Sequence, residues 1–271
     1  MSPLWRDEIG AYLAPHRLCL VRLKRGFKPS VAAEHEQLVE AGEPGAWAPA
    51  LAALDAMLAD PAWQGACLRL VISDHWVRYA IVPWTADLNS AAERLAHARQ
   101  LLASLYGEIV SDWDVRVSDA PPNVAQVACT IPAPLIAAVR AACEKYAVKL
   151  VSLQPQLIAA YASFRHCLPK ASAWFVTVEQ GSLAAARIGN NGWDRVHTVR
   201  IGPDWTRELK RLQAFGTIAS NNPEEGCVYV DAPHTWRVVA GAAGKGLHWL
   251  EEPSGPLSTL QRLGRVRRLA A

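Results

Sequence analysis

A chain of 271 residues with 51 % apolar and 20 % charged side chains can bury a sizeable core, which excludes an intrinsically disordered polypeptide. Its formal net charge of +3 and mean hydropathy of +0.04 are those of an ordinary soluble α/β protein and give no electrostatic signature of nucleic-acid binding. No stretch approaches the roughly 20 consecutive apolar residues of a membrane span, and residues 1–9 carry Trp5, Arg6, Asp7 and Glu8 in place of an apolar signal core. The six cysteines stand in apolar contexts such as Leu18-Cys19-Leu20 and Ala142-Cys143, with no CxxC or Cys/His pairing. They read as buried thiols in a reducing, cytoplasmic compartment, and no metal or cofactor is implied.

In chain order, residues 9–39 read as three antiparallel strands that turn at Pro15-His16 and again near residues 26–29. A loop at residues 42–45 follows, then a helix over 47–58 with Leu51, Leu54 and Leu58 at helical spacing. The run 67–72 suits a buried central strand, and 77–84 a strand ending at Pro83-Trp84. Ser90, with Glu93 three residues on, predicts a capped helix through Leu105, closed by Gly107. Strands over 113–118 and 124–130, a helix over 134–146, a strand over 148–154 and a helix over 155–167 come next. The stretch of about 88–149 reads as a small inserted α+β subdomain.

Pro169-Lys170-Ala171-Ser172 is the clearest linker, dividing the chain into 1–168 and 169–271. Beyond it, three strands are predicted over 173–179, 182–188 and 195–201, the last two joined by a Gly-Asn-Asn-Gly turn. A helix over 204–215, a strand over 227–230 and a basic tail complete the chain. Residues 9–39 and 173–201 are both three-strand meanders followed by a helix, as two related halves would give.

The first meander opens Ile9-Gly10-Ala11-Tyr12-Leu13-Ala14-Pro15-His16-Arg17-Leu18-Cys19-Leu20. The second opens Phe175-Val176-Thr177-Val178-Glu179-Gln180-Gly181-Ser182-Leu183. In pattern and element order the chain resembles the actin-like proteins of type IV pilus and type II secretion assembly, the PilM and GspL cytoplasmic-domain family. The resemblance implies an α/β, actin-like (RNase H-like) fold of two related halves, with mixed sheets flanked by helices and a small inserted subdomain. Actin-like ATPases carry, in hairpins of this length, an Asp-x-Gly turn, small hydroxyl residues and a Lys. There the carboxylate orders metal-bound water and backbone N–H groups approach phosphate.

Here the matching positions are Tyr12, Ala14 and Cys19 in the first hairpin, and Glu179 with Gly181 in the second. The adenosine-side turn, Val230-Asp231-Ala232-Pro233-His234, has no glycine. The resemblance therefore implies a soluble, shortened member, not an enzyme, that has lost its nucleotide grip. It would hold a short peptide of a membrane-anchored partner in a groove of its first half, lined by Tyr79, Val82 and Trp84. The alternative is an ATP-binding actin-like ATPase with atypical contacts.

Other candidates read more plainly. Gly241-Ala242-Ala243-Gly244-Lys245-Gly246 lacks the glycine spacing and the Ser/Thr of a phosphate loop and reads as a surface turn. Asp74-His75 suggests acid/base chemistry, but His75, in a turn between two strands, reads as a solvated turn residue; Asp112 and Asp114 have no nameable partner, and Ser182 is not in a nucleophile elbow. Among eleven tryptophans, Trp47, Trp63, Trp76, Trp84 and Trp113 sit at element edges, each suited to a core lid and together to a docking surface. Arg262, Arg265, Arg267 and Arg268, interleaved with aliphatic residues, suit an acidic partner, an anionic inner leaflet or a merely solubilising end.

Overall fold

A computed structural model describes residues 6–24, 30–40, 42–43, 45–88, 90–169, 172–189, 192–218, 227–233, 236 and 247–250. The tail arginines Arg262, Arg265, Arg267 and Arg268, the glycine-rich segment 241–246, and His234 lie outside the described residues. In chain order the elements begin β1 (Glu8–Ala14), β2 (Arg17–Lys24), β3 (Ser30–Leu38), α1 (Ala48–Leu58), β4 (Cys67–Ile72), β5 (Arg78–Val82) and α2 (Ala91–Tyr106). They continue β6 (Trp113–Val117), β7 (Gln126–Pro132), α3 (Ala133–Lys145), β8 (Lys149–Pro155) and α4 (Gln156–Phe164). The last are β9 (Ala173–Glu179), β10 (Ser182–Gly189), β11 (Gly192–Arg200), α5 (Trp205–Ile218), β12 (Cys227–Asp231) and β13 (Leu247–Trp249).

The chain divides into two compact units, one built from residues up to 76 and 133–163, the other from 77–132 and 164–250. The first holds a five-stranded sheet in the order β3-β2-β1-β4-β8. Its first three strands are an antiparallel meander, while β4 and β8 run parallel to β1. The period-2 alternation of β1 places Ile9, Ala11 and Leu13 in one row, buried together with Leu18, Leu20, Leu68 and Leu70. Helix α1, which carries a first-turn proline and little but Ala and Leu, lies against β1 and β2 and buries Ala50, Leu54 and Leu58. The alternate row, with Cys19, Val21 and Val71, receives Ala159 of α4.

The second unit holds two sheets. The smaller is fully antiparallel, in the order β5-β7-β6, and α2 covers it with Ala98 and Leu102 against Ala80, Val82, Val115 and Ala128. Helix α2 begins at the predicted capping box: Glu93 N–H donates to Ser90 Oγ at 3.1 Å, and Ser90 N–H donates to the Glu93 carboxylate at 2.9 Å. It ends at Gly107, whose φ of +73° is costly for any residue with a Cβ.

The larger sheet, β11-β10-β9-β12-β13, repeats the order and strand directions of the first unit's sheet. Its inner row of Trp174, Val176, Val178, Leu183, Ala185, Val228 and Val230 packs on Trp205 and Leu209 of α5. Strand β11 starts at Gly192, three residues earlier than expected, because pairing with β10 continues past a bulge at Arg187/Ile188 out to Gly189↔Gly192. Asn190 and Asn191 of the expected turn lie outside the described residues.

Candidate functional site

In the first unit, β1 and β2 meet in a tight turn at Pro15-His16, with Ala14 paired to Arg17 and Tyr12 directly opposite Cys19. Tyr12 lies in the apolar cluster of Cys19, Val21, Val71 and Ala159. Burial pushes the Cys19 thiol up to about 11; Arg17 opposes the shift and Glu36 adds to it. The thiol is therefore protonated and neutral at physiological pH. This hairpin thus presents the Tyr12 ring and the uncharged Cys19 thiol side by side.

Beside the hairpin, β4 runs into a short 3-10 turn at Asp74–Trp76. Asp74 is 1 % exposed, and its carboxylate accepts the N–H of Leu157 at 3.0 Å. Leu157 is in the first turn of α4, so Asp74 supplies a carboxylate to the helix end where unpaired N–H groups and the dipole attract an anion. A protein carboxylate thus occupies the position that a helix N-terminus otherwise offers to phosphate.

Next to it, Ser73 N–H donates to Leu13 O at 2.9 Å, and Ser73 Oγ accepts His75 N–H at 3.2 Å. The same hydroxyl lies 2.8 Å from His75 Nδ1. Ser73 is 0 % exposed, so this Ser–His contact closes the turn and cannot present a nucleophile. His16 meets His75 edge to face at 6.3 Å between ring centroids. Gln156 Oε1 is buried, with no hydrogen-bond partner among the described residues. Sequence reasoning did not find the role of Asp74; the available signal was an acid closing one buried strand, with Pro155 starting a helix after another.

In the second unit, Glu179 and Ser182 pair across the β9–β10 turn, and Gly181 between them has φ +80°. Thr177 lies beside Asp231 on the parallel strand β12. All four polar residues are buried: Thr177 2 %, Glu179 7 %, Ser182 2 % and Asp231 3 % exposed. They end the row that alternates with the α5-facing one. Among the described residues, no three His, Cys, Asp or Glu side chains come together to hold a metal ion. Asp114, for which the sequence offered no partner, accepts from Arg116 Nε at 3.0 Å.

The three residues expected to line a peptide groove differ in position. Tyr79 and Val82 are each 1 % exposed and belong to the interior of the small sheet, so neither presents a side chain to a partner. Trp84 is 45 % exposed and lines a cleft of about 130 Å³ with Pro83, Leu88, Arg94, Pro122 and Gln126. Of the other tryptophans at element edges, Trp63 and Trp76 are buried.

The cysteines also divide. Cys19 and Cys143 are buried, with both thiols pushed up to about 11, first by burial. Cys167 and Cys227 are exposed, contrary to the expectation that all six thiols are buried. The short turn at Arg165–Cys167 has no buried residue, and Cys227 starts β12 at the solvent-facing end of its pattern. With iodoacetamide at pH 7.5, Cys167 and Cys227 should be modified at least tenfold faster than Cys19 and Cys143 in the folded protein, read by peptide mass spectrometry. Equal rates for all four would contradict the packing around the first hairpin.

Two sheets of identical strand order and direction, each a meander continued by parallel strands and covered by helices, define an actin-like fold, and the comparisons agree. No family model matches the chain, and no curated protein sequence does. Among solved structures, it is similar to the PilM–PilN type IV pilus biogenesis complex, with 14 % identity, a TM-score of 0.69, and coverage of 97 % of this chain and 98 % of that one. It is similar to a Bacteroides thetaiotaomicron protein of actin-like ATPase fold and unknown function, with 10 % identity, a TM-score of 0.64 and coverage of 96 % of each chain. It is also similar to the cytoplasmic domain of EpsL, an inner-membrane component of the Vibrio cholerae type II secretion system. There the identity is 13 %, the TM-score 0.56, and the coverage 97 % of this chain and 94 % of that one. The protein has the actin-like fold of the PilM and EpsL kind. No helix among the described residues is long and apolar enough to cross a membrane.

Proposed function

We propose that the protein is a non-catalytic, cytoplasmic adaptor of a type IV pilus-like or type II secretion-like assembly, holding a short cytoplasmic segment of a membrane-anchored partner. The observation that carries this reading is the first-unit hairpin and its neighbouring helix end. Tyr12 and the neutral Cys19 stand where a nucleotide grip needs charge, and Asp74 fills the anion position of α4. A fold that keeps its sheets while its phosphate-facing groups are apolar or internally neutralised serves as a scaffold. Similarity to the PilM–PilN complex and to an inner-membrane secretion component supports this choice of assembly. In the expected division into halves at 1–168 and 169–271, with an insertion over about 88–149, the partner segment would bind near Trp84. Arg262, Arg265, Arg267 and Arg268 would add about 1 kcal/mol each at an anionic surface.

The test is fluorescence polarisation with labelled cytoplasmic segments of the membrane proteins encoded beside this one. One of them should bind at micromolar affinity or tighter. Absence of binding across the whole set removes the adaptor role. A second reading, residual ATP binding through atypical contacts, is favoured by Gln156 Oε1, a buried acceptor at the start of α4 whose hydrogen bond a ligand donor could supply.

A further inference from the structure

We propose that the cleft at Trp84 recognises a carboxylate side chain carried next to proline, with Arg94 as the group that reads the charge. This rests on the adaptor reading and names the chemistry of the segment held. Pro83 ends β5, and the chain then turns back, with Leu88 N–H donating to Thr85 O at 3.4 Å, before Ser90 caps α2. Arg94, in the first turn of α2, reaches back over this loop and donates one N–H to Leu88 O at 3.2 Å. That bond holds the guanidinium at the cleft wall and uses one of its five donors. Among the described residues, Arg94 has no ion pair and is the one charged side chain lining the cleft.

The rest of the wall is Pro83, Trp84, Thr85, Leu88, Ala120 and Pro122, with Gln126, whose amide donates to Ser118 O at 2.7 Å and leaves its carbonyl oxygen as an acceptor. Size decides the ligand class. About 130 Å³ is well short of the roughly 300–1,000 Å³ of a pocket for a free small molecule, so the cleft suits one or two side chains of an extended peptide. Charge decides the rest. A single planar guanidinium matches one carboxylate in a two-pronged contact, whereas a phosphate group draws several cations or a run of backbone N–H groups. Proline fits the Trp84–Pro83–Pro122 wall because a polyproline segment is already extended and loses little entropy on aromatic-lined grooves.

The probe is a fluorescein-labelled, C-terminally amidated nonapeptide (Pro-Pro-Glu)₃, compared with (Pro-Pro-Gln)₃ in 50 mM salt on the full chain. The acidic peptide should bind at least fivefold more tightly, and Arg94→Gln should bring that ratio to about one. Arg94→Lys, which keeps a donor for Leu88 O, should retain the weaker neutral binding while losing part of the preference. Trp84→Ala should lose both peptides, with an unchanged far-UV spectrum. Equal binding of the two peptides by the unaltered protein, or an acidic preference that survives Arg94→Gln, overturns the proposal. So does failure of both peptides to bind at 1 mM. A partner segment without acidic residues that binds through Trp84 would overturn it while leaving the adaptor reading standing.

Discussion

Replacing Trp205 with alanine is expected to lower the stability of the protein by about 3–5 kcal/mol, the range for truncating a fully buried large aromatic. Trp205 is 0 % exposed and opens α5 against the inner row of the second unit's larger sheet, among Trp174, Val176, Leu183 and Val230. Its ring meets Trp249 edge to face, with centroids 5.9 Å apart, and its indole N–H donates to Trp236 O at 3.2 Å. The truncation thus removes apolar area and an aromatic contact and strands a carbonyl. Against a typical total of 5–15 kcal/mol, this is a large fraction of the stability. Trp205→Phe keeps most of the ring area and should cost about half as much or less. Urea titrations followed by far-UV circular dichroism measure both. A loss below about 1 kcal/mol for the alanine variant would mean that α5 does not pack on this sheet.

The second large effect is expected at Asp74. Asp74→Ala leaves the Leu157 N–H without its acceptor in a setting where water does not reach, and should cost about 2–3 kcal/mol. Asp74→Asn keeps an acceptor of the same shape and loses the charge at the α4 N-terminus, at an expected cost of about 1 kcal/mol. The ordering Ala worse than Asn separates the hydrogen bond from the charge–dipole attraction, and thermal melts of the pair read it directly. Asp74→Ala should also be the variant that gains inorganic phosphate binding, if the carboxylate occupies an anion position. A destabilisation under about 0.5 kcal/mol for alanine would remove Asp74 from the account of the site.

The elements legible in the sequence were those whose signals are local. The capping box at Ser90–Glu93, the Gly107 stop, the Pro15-His16 turn and the apolar alternation of the first hairpin all act within a few residues, and each appears as expected. The equivalence of the two sheets was legible as an echo of meander and helix, since the same fold order imposes the same pattern twice. What was hidden depends on groups far apart in the chain. Asp74 is separated from Leu157 by 83 positions, so nothing near Asp74 distinguishes it from a solvated turn acid. Tyr79 and Val82 were expected at a groove from the resemblance alone, and their burial, Val82 under α2, depends on elements that residues 77–84 do not reveal. Of the three, Trp84 alone lies beyond the end of the strand, which is why it faces the cleft. Cys167 and Cys227 each have an apolar residue on one side only, Leu168 and Val228, and they lie exposed where their elements end or begin.

The central claim is that these sheets survive without a grip on triphosphate, and a thermal-unfolding series with magnesium and ATP addresses it most directly. At 2 mM ATP and 5 mM magnesium, the account predicts a midpoint within experimental error of the ligand-free one. A ligand present at 100 times its dissociation constant adds about 2.7 kcal/mol to the folded state. A magnesium-dependent rise of several degrees would therefore contradict the account and show that the protein binds nucleotide.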